Sequence, residues 1–291
     1  MSRLRASRPR LYAMEDHASV VERARAACGY PPGGEGKPAS TCPSAPLWLG
    51  TFINSGTAML SPDLVATLRS ISTATVTTIL LKKGVRRTWM HGPKPLAPGY
   101  DRVVGPAFTL RFVPAREDLA TPESWASPRS TRGAIEDMPE GVIAVADAMG
   151  VTGASIFGDI LTARMRKRGV VALVTDGVMR DVAGVLGTRL PVWSAGVAAP
   201  ASVNGLTFVG WQEPIGCGGV AIFPNDVIVA DDDGAVVIPA TLVEQVAKEG
   251  PEQERFEAWI VREVENGAKL PGLYPPNEAT RARYEKEGKR K

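Results

Sequence analysis

Cysteine, histidine and aromatic side chains are all scarce in this chain. Three cysteines in 291 residues are too few and too scattered for a disulfide framework or a structural zinc site. Cys28 and Cys42 lie near the N-terminus, which leaves Cys217 alone in the body. His91 is the only histidine beyond residue 58. No G-x-S-x-G elbow exists for it to serve, which removes a serine–histidine triad. No apolar run approaches the roughly 20 residues that span a bilayer, and the N-terminus lacks the charged and apolar parts of a secretory signal. The formal charge is only +3, and residues 1–58 hold seven basic against four acidic residues, so the remainder is balanced. A balanced body speaks against a nucleic-acid partner, which asks for a basic face. By these absences the chain reads as cytoplasmic, with neither membrane nor nucleic acid among its partners.

What is present is an ordinary globular composition, 44% hydrophobic and 22% charged, with length for a substantial core. Residues 1–58 carry an Arg-rich start and the segment PPGGEGKPASTCPSAP. They read as a disordered tail or as a start assigned too far upstream, since Met59-Leu60-Ser61-Pro62 makes a natural beginning. Ser61-Pro62 and Ser72-Thr73 have the character of helix N-caps. Strands are expected at Val103–Val104, Ala107–Val113, Val142–Ala146, Val170–Val174, Pro191–Ser194, Val220–Phe223, Asp226–Ala230 and Ala235–Ile238. Residues 120–133 read as an irregular insertion, and a long helix is expected from Pro239. Short strands mixed with short helices indicate an α/β domain of layered sheets and not a regular doubly wound one.

The chemistry concentrates in Gly158 to Asp181. Gly158-Asp159 opens a helix with Ile160, Leu161 and Met165 on its apolar face, and Gly169 ends it after a basic turn. The apolar strand that follows breaks at Asp176-Gly177, with Arg180 and Asp181 just beyond. An arginine fork suits bidentate capture of a carboxylate. A neighbouring aspartate supplies hard oxygen for Mg²⁺, which needs few protein ligands. Backbone N–H groups at the Gly158 helix start would face an anion. The plain structural alternative is a capping Asp159 and a surface Arg180–Asp181 pair. Elsewhere, Asp231-Asp232-Asp233-Gly234 reads as a hairpin turn sooner than a metal cluster. Gly216-Cys217-Gly218-Gly219 reads as a tight turn, Cys217 as a buried apolar group and His91 as structural. Arg116-Glu117-Asp118 is either a loop anchor or a second acid–base contributor.

The pairing of GDIL with TDGVMRD resembles the RraA-like family, which holds the regulator of ribonuclease activity A and the metal-dependent 4-hydroxy-4-methyl-2-oxoglutarate / 4-carboxy-4-hydroxy-2-oxoadipate aldolases. The likeness extends from about Ser61 to Ile238 through VVGPAFTL, EGVIAVAD, LPVW and FPNDVIVADDDGAVVIP. It implies a swivelling β/β/α layered domain, placed at 59–272; the residues after it, 273–291, read by composition as a polar extension. It also implies that Asp181 binds Mg²⁺ or Mn²⁺ and that Arg180 holds a pyruvyl carboxylate. By the same resemblance Asp159 sits near a metal-held water, and Gly158, Asp159, Ile160 and Leu161 line the substrate. The regulators resemble this fold but lack the aspartate of the GD element, so Asp159 favours the enzymatic branch. The implied activity is class II aldol cleavage of a 4-hydroxy-2-oxo acid to pyruvate, with oxaloacetate decarboxylation as a side reaction. A non-catalytic regulator binding a ribonuclease, or a dehydratase acting on another 2-oxo acid, are the rivals. The resemblance further implies a homotrimer or homohexamer. Asn225, where glycine is common in the family, and the enlarged loop at 115–133 depart from the pattern and bear on the substrate.

Overall fold

The computed structural model describes residues 59–287, so the expectations for residues 1–58 lie outside the described part. The described chain enters through α1 (Pro62–Arg69) and α2 (Thr73–Lys82). Both begin as expected: the Ser61 and Ser72 hydroxyls accept the N–H groups of Leu64 and Thr75 at 3.2 and 3.1 Å, each satisfying a donor the helix leaves open. Next come β1 (Lys94–Pro95), β2 (Val103–Pro114) and α3 (Thr131–Asp137). The segment expected to be irregular therefore ends in a helix, capped by Ser130. The middle of the chain comprises β3 (Ile143–Asp147), β4 (Ser155–Phe157), α4 (Asp159–Lys167), β5 (Ala172–Thr175), β6 (Val178–Met179), α5 (Val182–Gly187), β7 (Val192–Ser194) and β8 (Gly196–Val197). It closes with β9 (Leu206–Trp211), β10 (Val227–Asp231), β11 (Gly234–Ile238), α6 (Val243–Glu265) and α7 (Glu278–Glu287).

The main sheet runs β1-β7-β5-β3-β2-β10-β11, with β9 also on β2. β2 serves two partners on one edge because it is long, pairing β10 over Val103–Pro106 and β9 over Leu110–Pro114. The two outer edges are joined by one piece of chain. Met90 donates to the Ala235 carbonyl and Val237 to that of Thr88, at 3.0 and 2.8 Å. A few residues on, Lys94 of β1 lies opposite Ser194 of β7. The sheet thereby nearly closes into a barrel, and the domain is mixed α/β.

Barrel closure explains why the central strands read as unbroken apolar runs. Successive side chains alternate between faces, and here both faces are covered. On β3, Ile143 and Val145 point into the barrel with Ala172, Val174 and Trp193. Ala144 and Ala146 point outward under α3, α4 and α5, which supply Ile135, Met165 and Val185. On the other flank Val227, Val229, Val236 and Ile238 pack beneath Leu68, Val76 and Val246 of α1, α2 and α6. A satellite core of Phe256, Trp259 and Tyr284 joins the end of α6 to α7.

The expected strand at Val220–Phe223 is not one; only Ile222 bridges, to Ile215. Gly218 sits at φ +58, and a Cβ there would lie 2.7 Å from the His91 backbone, so the segment folds back where it would otherwise extend. The stretch from Ser155 to Asp181 contains strands that the apolar pattern did not reveal, β4 and β6, because two- and three-residue strands carry too little periodicity. Among the described residues, no single helix is long and apolar enough to cross a membrane.

The Asp231–Gly234 segment is the expected hairpin turn between β10 and β11. Asp231 also caps α2 from a distance: its carboxylate accepts the Thr73 N–H and hydroxyl at 3.0 and 2.7 Å and the Arg102 Nε–H at 3.0 Å. Burial raises its pKa, but these bonds outweigh burial and hold the carboxyl below its usual value. Asp231→Ala is expected to lower stability by about 1–2 kcal/mol, the cost of a lost cap, measured by urea denaturation at pH 7. Because the folded pKa is depressed, this contribution is complete above about pH 4 and disappears as pH falls through the folded value. The wild-type and variant curves should therefore converge in acid.

Candidate functional site

Three neighbouring parallel strands of the barrel, β3, β5 and β7, each continue into a short strand of a second sheet, β4, β6 and β8. The second sheet keeps the same order and the same parallel sense: Ser155 lies opposite Val178, and Val178 opposite Gly196. The C-terminal ends of β4 and β6 are thus side by side, and each leads straight into a helix. Gly158 caps α4 and Asp181 caps α5. Arg180 and Asp181 therefore follow β6 and do not sit directly beyond β5, as the sequence suggested. The short β6, in a different sheet, carries them on to the level of Asp159.

The two helix starts interlock. A Cβ on Gly158 would lie 2.5 Å from Asp181 Oδ2 and 3.3 Å from Arg180 Nε. Its φ of −128° suits any residue, so glycine is required there for space. A Cβ on Gly184 in α5 would lie 2.6 Å from Asp159 Oδ2. Asp159 is thereby laid against α5, while Arg180 and Asp181 are laid against the start of α4. The Arg180 N–H donates to the Phe157 carbonyl at 3.1 Å, which ties the two strand ends together. Thr162, fully buried, donates its hydroxyl to the Gly158 and Asp159 carbonyls at 3.1 and 3.0 Å and fixes the first turn of α4. Neither Gly184 nor Thr162 stood out in the sequence, because packing across two helices gave them their roles.

Asp181 adopts left-handed φ and ψ of 53° and 42°, a conformation that costs a non-glycine residue about 1 kcal/mol. It holds the capping position of α5, yet its side chain makes no capping hydrogen bond. Its Oδ2 lies 3.1 Å from Arg180 Nε, with both side chains close to half exposed. Asp159 Oδ1 accepts the N–H of Ile160 at 2.7 Å, so of the two amides expected to face a ligand, that of Ile160 is engaged by its neighbour's carboxylate. The Ile160 side chain is 79% exposed, whereas Leu161 is half-buried.

The remaining candidates are placed elsewhere. Arg116 grips Asp118 through two bonds of 2.7 Å on an exposed loop and lowers its pKa. That is the loop-anchor reading, and Glu117 lies beside it, exposed. Exposed His91 meets Trp89 edge-on at 4.7 Å. Cys217 is fully buried, and burial pushes its thiol far up, so it is inert as a nucleophile. Among the described residues, no three His, Cys, Asp or Glu side chains converge to enclose a cation. The Asp181 carboxylate, half exposed and without a capping bond, has the donor chemistry that Mg²⁺ or Mn²⁺ takes, since such ions keep several waters and need one or two carboxylates.

The family model described as RraA-like, Aldolase/RraA, matches residues 73–237. A protein from Halalkalibacterium halodurans with the provisional name 4-hydroxy-4-methyl-2-oxoglutarate aldolase is 33% identical over 155 residues, 53% of this chain and 68% of that one. Protein DlpA of Legionella pneumophila is 29% identical over 185 residues, 64% of this chain but only 29% of DlpA. RraAS2 of Streptomyces coelicolor, described as an unusual member of the RNase ES inhibitor RraA protein family, is 33% identical. It superposes with a TM-score of 0.62 over 69% of this chain and 97% of its own. An uncharacterised Pseudomonas syringae protein superposes with a TM-score of 0.63 at 25% identity, over 75% and 99%.

The helix interlock predicts opposite signs for two glycines of α5. Gly184→Ala drives a Cβ into the Asp159 side chain and is expected to cost about 1–3 kcal/mol of stability. Gly187 has nothing within 4 Å of the equivalent position, so Gly187→Ala is expected to stabilise by about 0.4–1 kcal/mol. Thermal unfolding of the two variants checks the pair.

Proposed function

This chain belongs to the RraA-like family, and from that premise we propose that it is a divalent-metal-dependent lyase cleaving a 4-hydroxy-2-oxo acid to pyruvate. The observation that carries this reading is the pair of adjoining helix starts, with a left-handed Asp181 that makes no capping bond beside Arg180, and with Asp159 laid against Gly184 of the second helix. Asp181, with Asp159 near it, would hold Mg²⁺ or Mn²⁺, which when bound supplies Lewis-acid stabilisation of the charge developing on the 2-oxo group.

The chain's own groups do the rest. Arg180 exchanges its exposed contact with Asp181 for the substrate carboxylate, a planar partner that its fork matches bidentately. Amides of the first α4 turn, including that of Leu161, face the same anion with the favourable end of the helix dipole. In the cleavage, the C3–C4 bond breaks, its electron pair stays on the pyruvyl C3, and C4 becomes a carbonyl as its hydroxyl loses a proton. Asp159 orients a water that takes this proton and returns one to C3. Oxaloacetate decarboxylation leaves the same electron pair on C3, so it follows as a side reaction. We place this chemistry in a cytoplasmic homotrimer or homohexamer.

The 33% identity to RraAS2 supports a second reading, a non-catalytic regulator that binds a ribonuclease. The presence of Asp159, which the regulators lack by resemblance, weighs for the enzyme. The test is pyruvate release from oxaloacetate and from a 4-hydroxy-2-oxo diacid. Turnover is expected with Mg²⁺ and not with EDTA, and Asp181→Ala and Arg180→Ala should each lose about 10²-fold or more in kcat/KM. Turnover that persists in EDTA or in Asp181→Ala overturns the proposal. No turnover, with a ribonuclease complex that survives Arg180→Ala, establishes the second reading.

A further inference from the structure

Two buried carboxylates stand where the barrel meets the second sheet, and neither takes part in the chemistry above. Asp176, 5% exposed, is the first residue after β5. Its Oδ1 accepts the Ala148 N–H at 2.7 Å, and its Oδ2 accepts those of Gly150 and Gly218 at 3.1 and 3.0 Å. Asp147, the last residue of β3, accepts the Met149 N–H at 3.0 Å and the Gly216 N–H at 2.9 Å. Ionised carboxylates make strong bonds of this kind, and losing those of Asp176 leaves the buried donors of Ala148 and Gly218 unpaired. Burial raises the Asp176 pKa, and the nearby Asp147 charge adds to the rise against the bonds from Gly218, Ala148 and Gly150. The joint is tightly packed as well: a Cβ on Gly177 would lie 2.6 Å from that of Ala148.

These bonds join the roots of the two arms that carry the candidate site. Ala148 and Gly150 begin the run through β4 to Gly158-Asp159. Asp176 begins the run through β6 to Arg180-Asp181. Between root and tip, β4 and β6 are three and two residues long. Their ladder has two residue pairs with an irregularity between them. Strands so short cannot fix their own register.

We infer that Asp176 is a positioning residue, whose buried carboxylate sets the relative placement of the Asp159 and Arg180–Asp181 helix starts by tying both arms at the joint. The inference rests on reading those helix starts as the functional site. Asp226 is a natural control. It is equally buried, its carboxylate also accepts two backbone N–H groups, from Phe223 and Ala240 at 2.9 and 3.0 Å, and it is linked to neither arm. It lies beside Ala107, at the level where β3 begins and not where β3 ends.

Hydrogen–deuterium exchange on the full chain tests the idea without any assay of activity. Asp176→Asn should speed exchange about ten-fold or more at residues 158–161 and 181–184, with β2, β3 and β10 unchanged. Asp226→Asn should lower thermal stability and leave both helix starts protected. Asp147→Asn is milder, because Asp147 holds only the first arm, and should loosen 158–161 alone. It serves if the first variant does not fold. Equal loss of protection across the barrel, unchanged helix starts, or the same loosening in Asp226→Asn overturns the inference. In parallel, kcat on oxaloacetate should fall about ten-fold or more in Asp176→Asn and hold in Asp226→Asn. A wild-type protein without turnover defeats the aldolase reading and leaves the exchange result to decide this one.

Discussion

Everything at the candidate site depends on three parallel strands that run through one sheet, break together, and resume as a second. β3, β5 and β7 could each have ended at a loop, as parallel strands usually do. Here they pass on into β4, β6 and β8 in unchanged order. The break is dry in part, because the N–H groups of Ala148 and Gly218 are buried there, and it has to be tight. Carboxylates that accept backbone N–H groups answer the first need, and glycine at 177 answers the second. Helix starts that would otherwise stand on separate loops are thereby brought side by side.

A second constraint comes from the barrel wall. The segment from Thr88 to Pro95 bonds to β11 at one end and to β7 at the other, so the sheet has no free edge along that seam. Two indoles brace it: Trp89 and Trp193 donate to the Asp233 and Asp231 carbonyls at 2.9 and 2.8 Å. The same hairpin receives α2 through the Asp231 carboxylate. Of the acidic run that resembles a cation site by composition, the Asp231 carboxylate holds α2 and the backbone carbonyls of Asp231 and Asp233 hold the indoles.

The two acids of the site differ for reasons visible in the backbone. Asp159 lies in the first turn of a helix, bonds its neighbour's amide and leans on a glycine of the adjoining helix. Asp181 is held at positive φ with its carboxylate free of capping. Aspartate tolerates that conformation better than most residues, and the modest strain it stores is common at functional positions. In these helices backbone bonds and glycine packing fix the frame, and the Arg180 and Asp181 side chains stay close to half exposed.

By sequence alone, the family resemblance, the mixed α/β class, the capped helices at Ser61 and Ser72, the strands β2, β3, β5, β7, β10 and β11, and the Asp233-Gly234 turn were legible, whereas β1 and β9 of the same sheet were not expected. These rest on local signals, whether apolar runs, capping hydroxyls or turn residues, and such signals survive without knowledge of what lies across the fold. The motifs GDIL and TDGVMRD were legible too, as residue types near element ends. Tertiary structure alone decided that the two motifs adjoin, that β4 and β6 carry them, and that Gly158 and Gly184 must be small. It alone showed that Asp147 and Asp176, which read only as strand ends, bind the turns around them. The reason is distance along the chain. A carboxylate accepting an amide 28 or 42 residues away, or a glycine needed to admit another helix's side chain, leaves no periodic trace in its own neighbourhood.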